Sequence, residues 1–272
     1  MLEFSDKEFN TLRSHIKQKY GISLSNEKKP LVYSRLRSSV LEMGLSSFSE
    51  YYERLIADKT GKIANDFINR ISTNHTYFMR EKDHFDYFTR VTLPEIEKSS
   101  RNDVRLWCAA SSSGEEPYTL QILMKEYFEN KGSWDTSMIA SDVSVKVLNI
   151  AYAGIYSKEA LSAMPGAWVK KYFDDYDAQS CKVKDFVRKE VLFRRINLMD
   201  EKLDSIFSKK LHTIFCRNVM IYFDEETRDK LVEKMYNMLE AGGYLFIGHS
   251  ERLSMSTKFE YIMPAVYKKA GS

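Results

Sequence analysis

The sequence predicts an α/β protein: an open, mostly parallel sheet, preceded by an all-helical subdomain and interrupted by a small antiparallel β insertion. Three patterns carry that prediction. Apolar residues recur at spacings of three and four before residue 72. Short apolar runs alternate with helical patterns after residue 104, and a charged, aromatic-rich stretch with local apolar/polar alternation interrupts them.

In the leading region, Phe9, Leu12, Ile16 and Tyr20 share one face of a first helix, which Gly21 stops. Pro30 suits a first turn, so a second helix runs through Leu31, Leu36, Val40 and Leu41 to Gly44. A third helix covers 47–56 and a fourth 62–71. Strands are expected at 104–109, 138–141, 191–196, 213–216, 244–247 and 261–267, with helices at 117–128, 145–153 and 225–239. Strand alternating with helix makes a parallel sheet whose ligands bind beyond the carboxyl ends of the strands. The insertion spans about 157–196, and its CKVKDFVRKEVLF (181–193) reads as a hairpin. The expected domains are thus 1–72, a linker over 73–90, and 91–272.

Composition narrows the function classes. The chain has 272 residues, 43% hydrophobic and 29% charged, enough for one large domain and a smaller one. No run approaches the roughly 18 to 20 apolar residues that span a bilayer. The start, MLEFSDKEFN, lacks a basic segment followed by an apolar one. A soluble cytoplasmic protein is therefore expected, with no membrane insertion. Cys108, Cys181 and Cys216 are too few and scattered for a disulfide framework or a zinc site, and no histidine has metal-ligand spacing, so no metal is expected. A net charge of +3 is not that of a dedicated nucleic-acid binder. Residues 12–42 nevertheless hold seven cations against two anions, a local +5 that suits an acidic partner.

The segment LWCAASSSGEEPY (106–118) is a strand, a run of very small residues and an acidic helix start. Small side chains let a ligand approach the backbone. A dinucleotide site would carry several glycines there; this turn has only Gly114, followed by Glu115 and Glu116, which would repel pyrophosphate. Two acids suit an amino group or a ribose hydroxyl, both of which S-adenosylmethionine offers. Asp142 closes the second strand, where an acid accepts from ribose hydroxyls, and this reading is favoured over the compatible one of a cap for the next helix. Arg217 and Asn218 end a later strand, where substrate meets cofactor. The Asn/Asp-Pro-Pro-aromatic motif of base N-methyltransferases is missing, which disfavours a nucleic-acid substrate.

Six segments, TNHTYFMRE (73–81), LWCAASSSGEEPY (106–118), ASD (140–142), INL (196–198), IFCRNVMIYF (214–223) and LFIGHSE (245–251), together resemble the chemotaxis receptor methyltransferases, the CheR family. The resemblance spans nearly the whole chain. It implies a Rossmann-like class I methyltransferase sheet and S-adenosylmethionine-dependent methylation of glutamate side chains on the cytoplasmic helices of chemoreceptors. The products would be glutamate methyl esters and S-adenosylhomocysteine. By matching motif, the cofactor contacts it implies are Asn74, Thr76, Arg80, Glu116, Asp142, Asn197, Leu198, Arg217 and Asn218, with Arg80 and Tyr222 nearest the transferring methyl. Lys28, Lys29, Arg35 and Arg37 match the receptor-facing helix. The insertion loop DDYDAQSCKVKDF lacks the glycine of family members that tether to a receptor peptide, so direct recognition of the methylated helices is expected. The competing classes are a cofactor-binding adaptor without turnover and an RNA methyltransferase.

Overall fold

The computed structural model describes residues 2–271. Helix α1 (Asp6–Tyr20) starts at a capping box, with Ser5 accepting from the Glu8 N–H and the Glu8 side chain reaching back, and ends at Gly21 with φ +74°. Helices α2 (Lys29–Glu42), α3 (Phe48–Ala57) and α4 (Lys62–Ile71) complete the leading subdomain. The predicted face of α1 is buried against Leu36, Phe48 and Phe67 in a core of its own. Each such side chain contributes roughly 1.5 to 3 kcal/mol by leaving water.

The second half of the stretch 73–90 is helical. Helices α5 (Lys82–Tyr87) and α6 (Leu93–Ser99) are joined by a π turn over Phe88–Thr92, and Phe85, Phe88, Leu93 and Ile96 enter the main core. The wide turn lies just before Pro94, which has no N–H to donate back along the helix.

The main sheet contains β1 (Leu106–Ala109), β2 (Met138–Asp142), β6 (Val191–Arg195), β7 (Leu211–Cys216), β8 (Leu239–Phe246), β9 (Phe259–Met263) and β10 (Val266–Lys269). Its order is β6-β2-β1-β7-β8-β10-β9, or 3-2-1-4-5-7-6 when its strands are numbered along the chain. The pairs from β6 to β8 are parallel and the two at the β9 edge antiparallel. Helices α7 (Glu115–Phe128), α8 (Val145–Ala153) and α11 (Glu225–Met238) connect the strands. Successive β1 residues alternate between two cores, Leu106 and Cys108 in one, Trp107 and Ala109 in the other, as a sheet covered on both faces requires. All three cysteines are buried and free.

Two expected elements are corrected. The stretch 261–267 is not one strand but the hairpin β9–β10, folded back at Ala265 with φ +63°. The apolar/polar alternation of 181–193 is not one hairpin either. Its first residues join β3 (Ile155–Ser157), β4 (Phe173–Asp175) and β5 (Ser180–Val183) in a separate antiparallel sheet of order β3-β5-β4. Helix α10 (Asp185–Arg188) follows, and β6 pairs with β2 in the main sheet. Helix α9 (Gly166–Tyr172) leads directly into β4. No helix among the described residues is long and apolar enough to cross a membrane.

Candidate active site

The chain direction of the connections reverses between β1 and β7, which opens a crevice at the carboxyl ends of the strands. A cavity of about 450 Å³ lies there, walled by both subdomains and the linker. Asn74, Thr76, Arg80, Glu116, Asp142, Asn197, Leu198, Arg217, Asn218 and Tyr222 all line it. Of the four basic docking candidates, Lys28 and Arg35 also line it, whereas Lys29 and Arg37 do not. Lys29 is tied to Asp6 at 2.6 Å, and Arg37 is exposed. Arg35 is not a free docking cation: it donates to the Ile71 and Ser72 carbonyls and to Thr73 Oγ1, holding the start of the linker.

The loop after β1 turns through Ala110 (φ +54°), Ser112 (φ +49°) and Gly114 (φ +100°). Only glycine fits at the last, because a Cβ there would stand 2.7 Å from the Tyr156 hydroxyl and 2.9 Å from Ala151 Cβ. Asp142 pins the loop, accepting from Ser112 N–H at 3.0 Å and from Ser144 N–H at 2.9 Å. Burial raises its pKa, against the lowering effect of those N–H groups. Ser144, not Asp142, caps α8 through its side chain. Ser112 Oγ donates to the Asn74 carbonyl at 3.0 Å, fastening the linker over the loop.

Arg217, with its side chain fully buried, donates to Glu116 at 2.6 Å and to Glu81 at 2.9 Å. Burial lowers its pKa, but Glu116 and Glu81 outweigh that and raise it, so it is a cation. Glu116 also accepts from the Cys108 thiol at 3.2 Å. Glu115 does not line the cavity and takes Ser113 Oγ instead, at 2.8 Å. Asn218 adopts φ +58°, its N–H donating to Glu251 at 2.9 Å and its amide to Glu81 at 3.1 Å. Arg80 donates to the His75 carbonyl at 2.9 Å and lies 5.7 Å from the Tyr77 ring centre. The Asn197 side chain is committed to the fold, donating to the Lys19 carbonyl at 2.7 Å and accepting from Met199 N–H at 3.1 Å.

Three braces of this site carry no role in the linear reading: Glu81, Gly248 and Glu251. Glu251 accepts from the N–H groups of Gly248, Asn218 and Ile221. A Cβ on Gly248 would sit 2.9 Å from the Asn218 backbone nitrogen. Glu81 and the Gly248–Glu251 stretch end the quoted motifs TNHTYFMRE and LFIGHSE, which was the available signal. Metal-ligand spacing also exists in space where it was not visible in the chain. Ligand atoms of Glu81, His84 and His249 lie within 4.8 Å of one another. Both Glu81 oxygens are already occupied by Arg217, Asn218 and the His249 N–H, and a guanidinium adjoins them.

The donor set fits an adenosyl amino acid. Ser111 and Arg217 both line the cavity, and each keeps one buried polar atom, Ser111 Oγ and Arg217 Nε, without a protein partner among the described residues. Native interiors rarely leave such atoms unpaired unless a ligand or water satisfies them. Asp142, at the end of β2, and Glu116, in the helix start after β1, both line the same cavity.

A doubly wound sheet of this strand order, with acids rather than a glycine-rich pyrophosphate loop at its first two strand ends, defines a Rossmann-like S-adenosylmethionine-dependent methyltransferase. The chain belongs to the CheR methyltransferase family. Residues 74–268 match the model described as CheR methyltransferase, SAM binding domain, and residues 7–72 that described as CheR methyltransferase, all-alpha domain. A chemotaxis protein methyltransferase of Borreliella burgdorferi is 42% identical over 274 residues, spanning 98% of this chain and 96% of the relative. A probable chemotaxis protein methyltransferase of Rhizobium etli is 38% identical, spanning 88% of this chain and 90% of its own. A chemotaxis protein methyltransferase of Salmonella typhimurium is 33% identical, spanning 93% and 86%.

Proposed function

We propose that the protein methylates glutamate side chains on the cytoplasmic helices of chemoreceptors, giving glutamate methyl esters and S-adenosylhomocysteine, and that it works in the cytoplasm. The observation that carries this reading is the convergence of Arg80, Glu116, Asp142, Arg217, Asn218 and Tyr222 on one cavity that the leading helical subdomain closes. The names of the relatives supply the chemotaxis context.

The cofactor supplies a methyl sulfonium, an electrophile with its own leaving group. A glutamate with a reference pKa near 4.3 is ionised at neutral pH, so the chain need not provide a general base. Its residues have three tasks. Asp142 and Glu116 hold the adenosyl and amino acid ends. Arg80 orients the incoming carboxylate by a charge-assisted hydrogen bond, with Tyr222 as a second donor or wall. The linker and the leading subdomain keep water out while an anion and a cation neutralise each other. Lys28 at the cavity wall adds positive potential for an acidic substrate segment.

The test is transfer of labelled methyl to purified receptor cytoplasmic fragments, with candidate glutamates changed to glutamine. Base-labile label that disappears with the changed glutamate supports the reading. Label on an unchanged set of sites, or none with the cofactor bound, overturns it.

A further inference from the structure

The buried cluster at the end of β7 holds one more carboxylate than its guanidinium neutralises. Arg217 is shared by Glu116 and Glu81, whose side chains are each 13% exposed. Glu116 faces the cavity and Glu81 does not line it. A guanidinium beside a single carboxylate forms a neutral pair with little field left for a third ion. Here the trio carries a net negative charge.

Glu81 is also held firmly. Its backbone adopts φ +57°, a left-handed conformation that is unfavourable for a non-glycine residue and persists only where the surroundings enforce it. Its side chain takes Arg217 at 2.9 Å, the Asn218 amide at 3.1 Å and the His249 N–H at 3.2 Å. Of the other titratable groups nearby, Asp83 pairs with His249 at 3.0 Å, Arg80 donates to the His75 carbonyl, and the buried His84, 3.5 Å from Glu81, is held neutral by burial.

We infer that Glu81 is the counter-ion of Arg217 and that, by taking up the guanidinium charge, it leaves Glu116 a net anion for the ammonium group of the cofactor's methionine tail. Glu81 touches no ligand and acts through Arg217, so it is a positioning residue. The inference rests on the assignment of Glu116 to that ammonium in the reading above.

Calorimetric binding of two ligands tests it without any methyl acceptor. S-adenosylhomocysteine carries the ammonium; 5′-S-(3-carboxypropyl)-5′-thioadenosine keeps the adenosine, thioether and carboxylate but lacks it. Glu81→Gln weakens the first by roughly tenfold or more, the scale of a hydrogen bond to a charged group, and leaves the second essentially unchanged. Glu81→Asp falls between. Retained binding of the second ligand reports a folded pocket. Equal losses for both ligands, or no loss for the first, overturn the inference. If the unaltered protein does not distinguish the two ligands, the ammonium is not at Glu116 and the underlying assignment fails as well.

Discussion

The Ser23 N–H donates to the Tyr222 carbonyl at 2.7 Å, and Ile22 and Phe223 form an antiparallel bridge beside it. The segment leaving α1 is therefore stitched to the loop that carries a proposed catalytic tyrosine. The backbone position of Tyr222 at the cavity wall is thus tied to the leading subdomain. Ser23→Pro removes the donor and is expected to lower turnover roughly tenfold, the scale of a small misplacement of reacting groups. Steady-state rates beside a urea melt separate this from unfolding.

The same seam is pinned by Lys17 and Asp224. Asp224 also caps α11 by accepting from the Thr227 N–H at 3.0 Å, and Lys17 with Thr227 depresses its carboxyl to about 2. Its contribution is present above the usual carboxylate range and is lost as pH falls through about 2. Asp224→Ala should cost about 1 kcal/mol as a lost cap, and Lys17→Ala less, because that pair is partly exposed. Urea midpoints of the two variants check the order.

Gly248→Ala should damage the site more than the fold. The added methyl meets the Asn218 backbone nitrogen and side chain, so the loop from Asn218 to Tyr222 must shift. Turnover is expected to fall about 100-fold, the effect of an ångström-scale displacement. The stability loss should stay within the roughly 1 to 3 kcal/mol of overpacking. A variant with full activity would show that this loop is not held by close approach.

Stability should decline between neutral pH and pH 4. Burial, helped by Arg217 and Arg105 respectively, lowers the pKa of His84 and of His212 from 6.5 to about 4. The unfolded chain therefore binds protons in that window that the folded protein does not. Their contribution is complete above pH 6.5 and is lost as pH falls toward 4. Burial raises the carboxyls of Glu115, Asp142 and Glu251, which offsets part of the loss. The urea midpoint should drop from pH 7 to pH 5, and His84→Gln with His212→Gln should flatten the slope.

Much of this was readable in the chain because five of the six motifs stand at strand ends, TNHTYFMRE in the linker being the exception. LWCAASSSGEE announces a strand, a close-approach loop and an acidic helix start, and all three form. What a linear reading assigns poorly is the direction of a side chain. Asn197 and Arg35 have binding chemistry but are turned to backbone carbonyls of the leading subdomain. Glu81 and Glu251 look like surface acids, yet they brace Arg217 and Asn218 across more than 30 residues of chain. The hairpin at Ala265 was hidden because apolar residues continue through the turn, and the split of 181–193 because alternation is the same in either sheet.

Arg80 and Tyr222 should separate kinetically. Arg80→Ala is expected to weaken cofactor binding and turnover together, because this residue lines the cavity and also anchors the linker through the His75 carbonyl. Tyr222→Phe keeps the ring and removes only the hydroxyl. It should lower kcat roughly tenfold, the worth of one hydrogen bond to a charged group, with the cofactor Kd unchanged.

The most direct measurement follows labelled methyl from S-adenosylmethionine onto receptor cytoplasmic fragments, for the unaltered protein and for Asp142→Ala. The account predicts base-labile ester on defined glutamates, lost when those glutamates become glutamine, and cofactor binding strongly weakened by Asp142→Ala. Base-stable label on RNA or on an amine, or cofactor binding that survives Asp142→Ala intact, would contradict it.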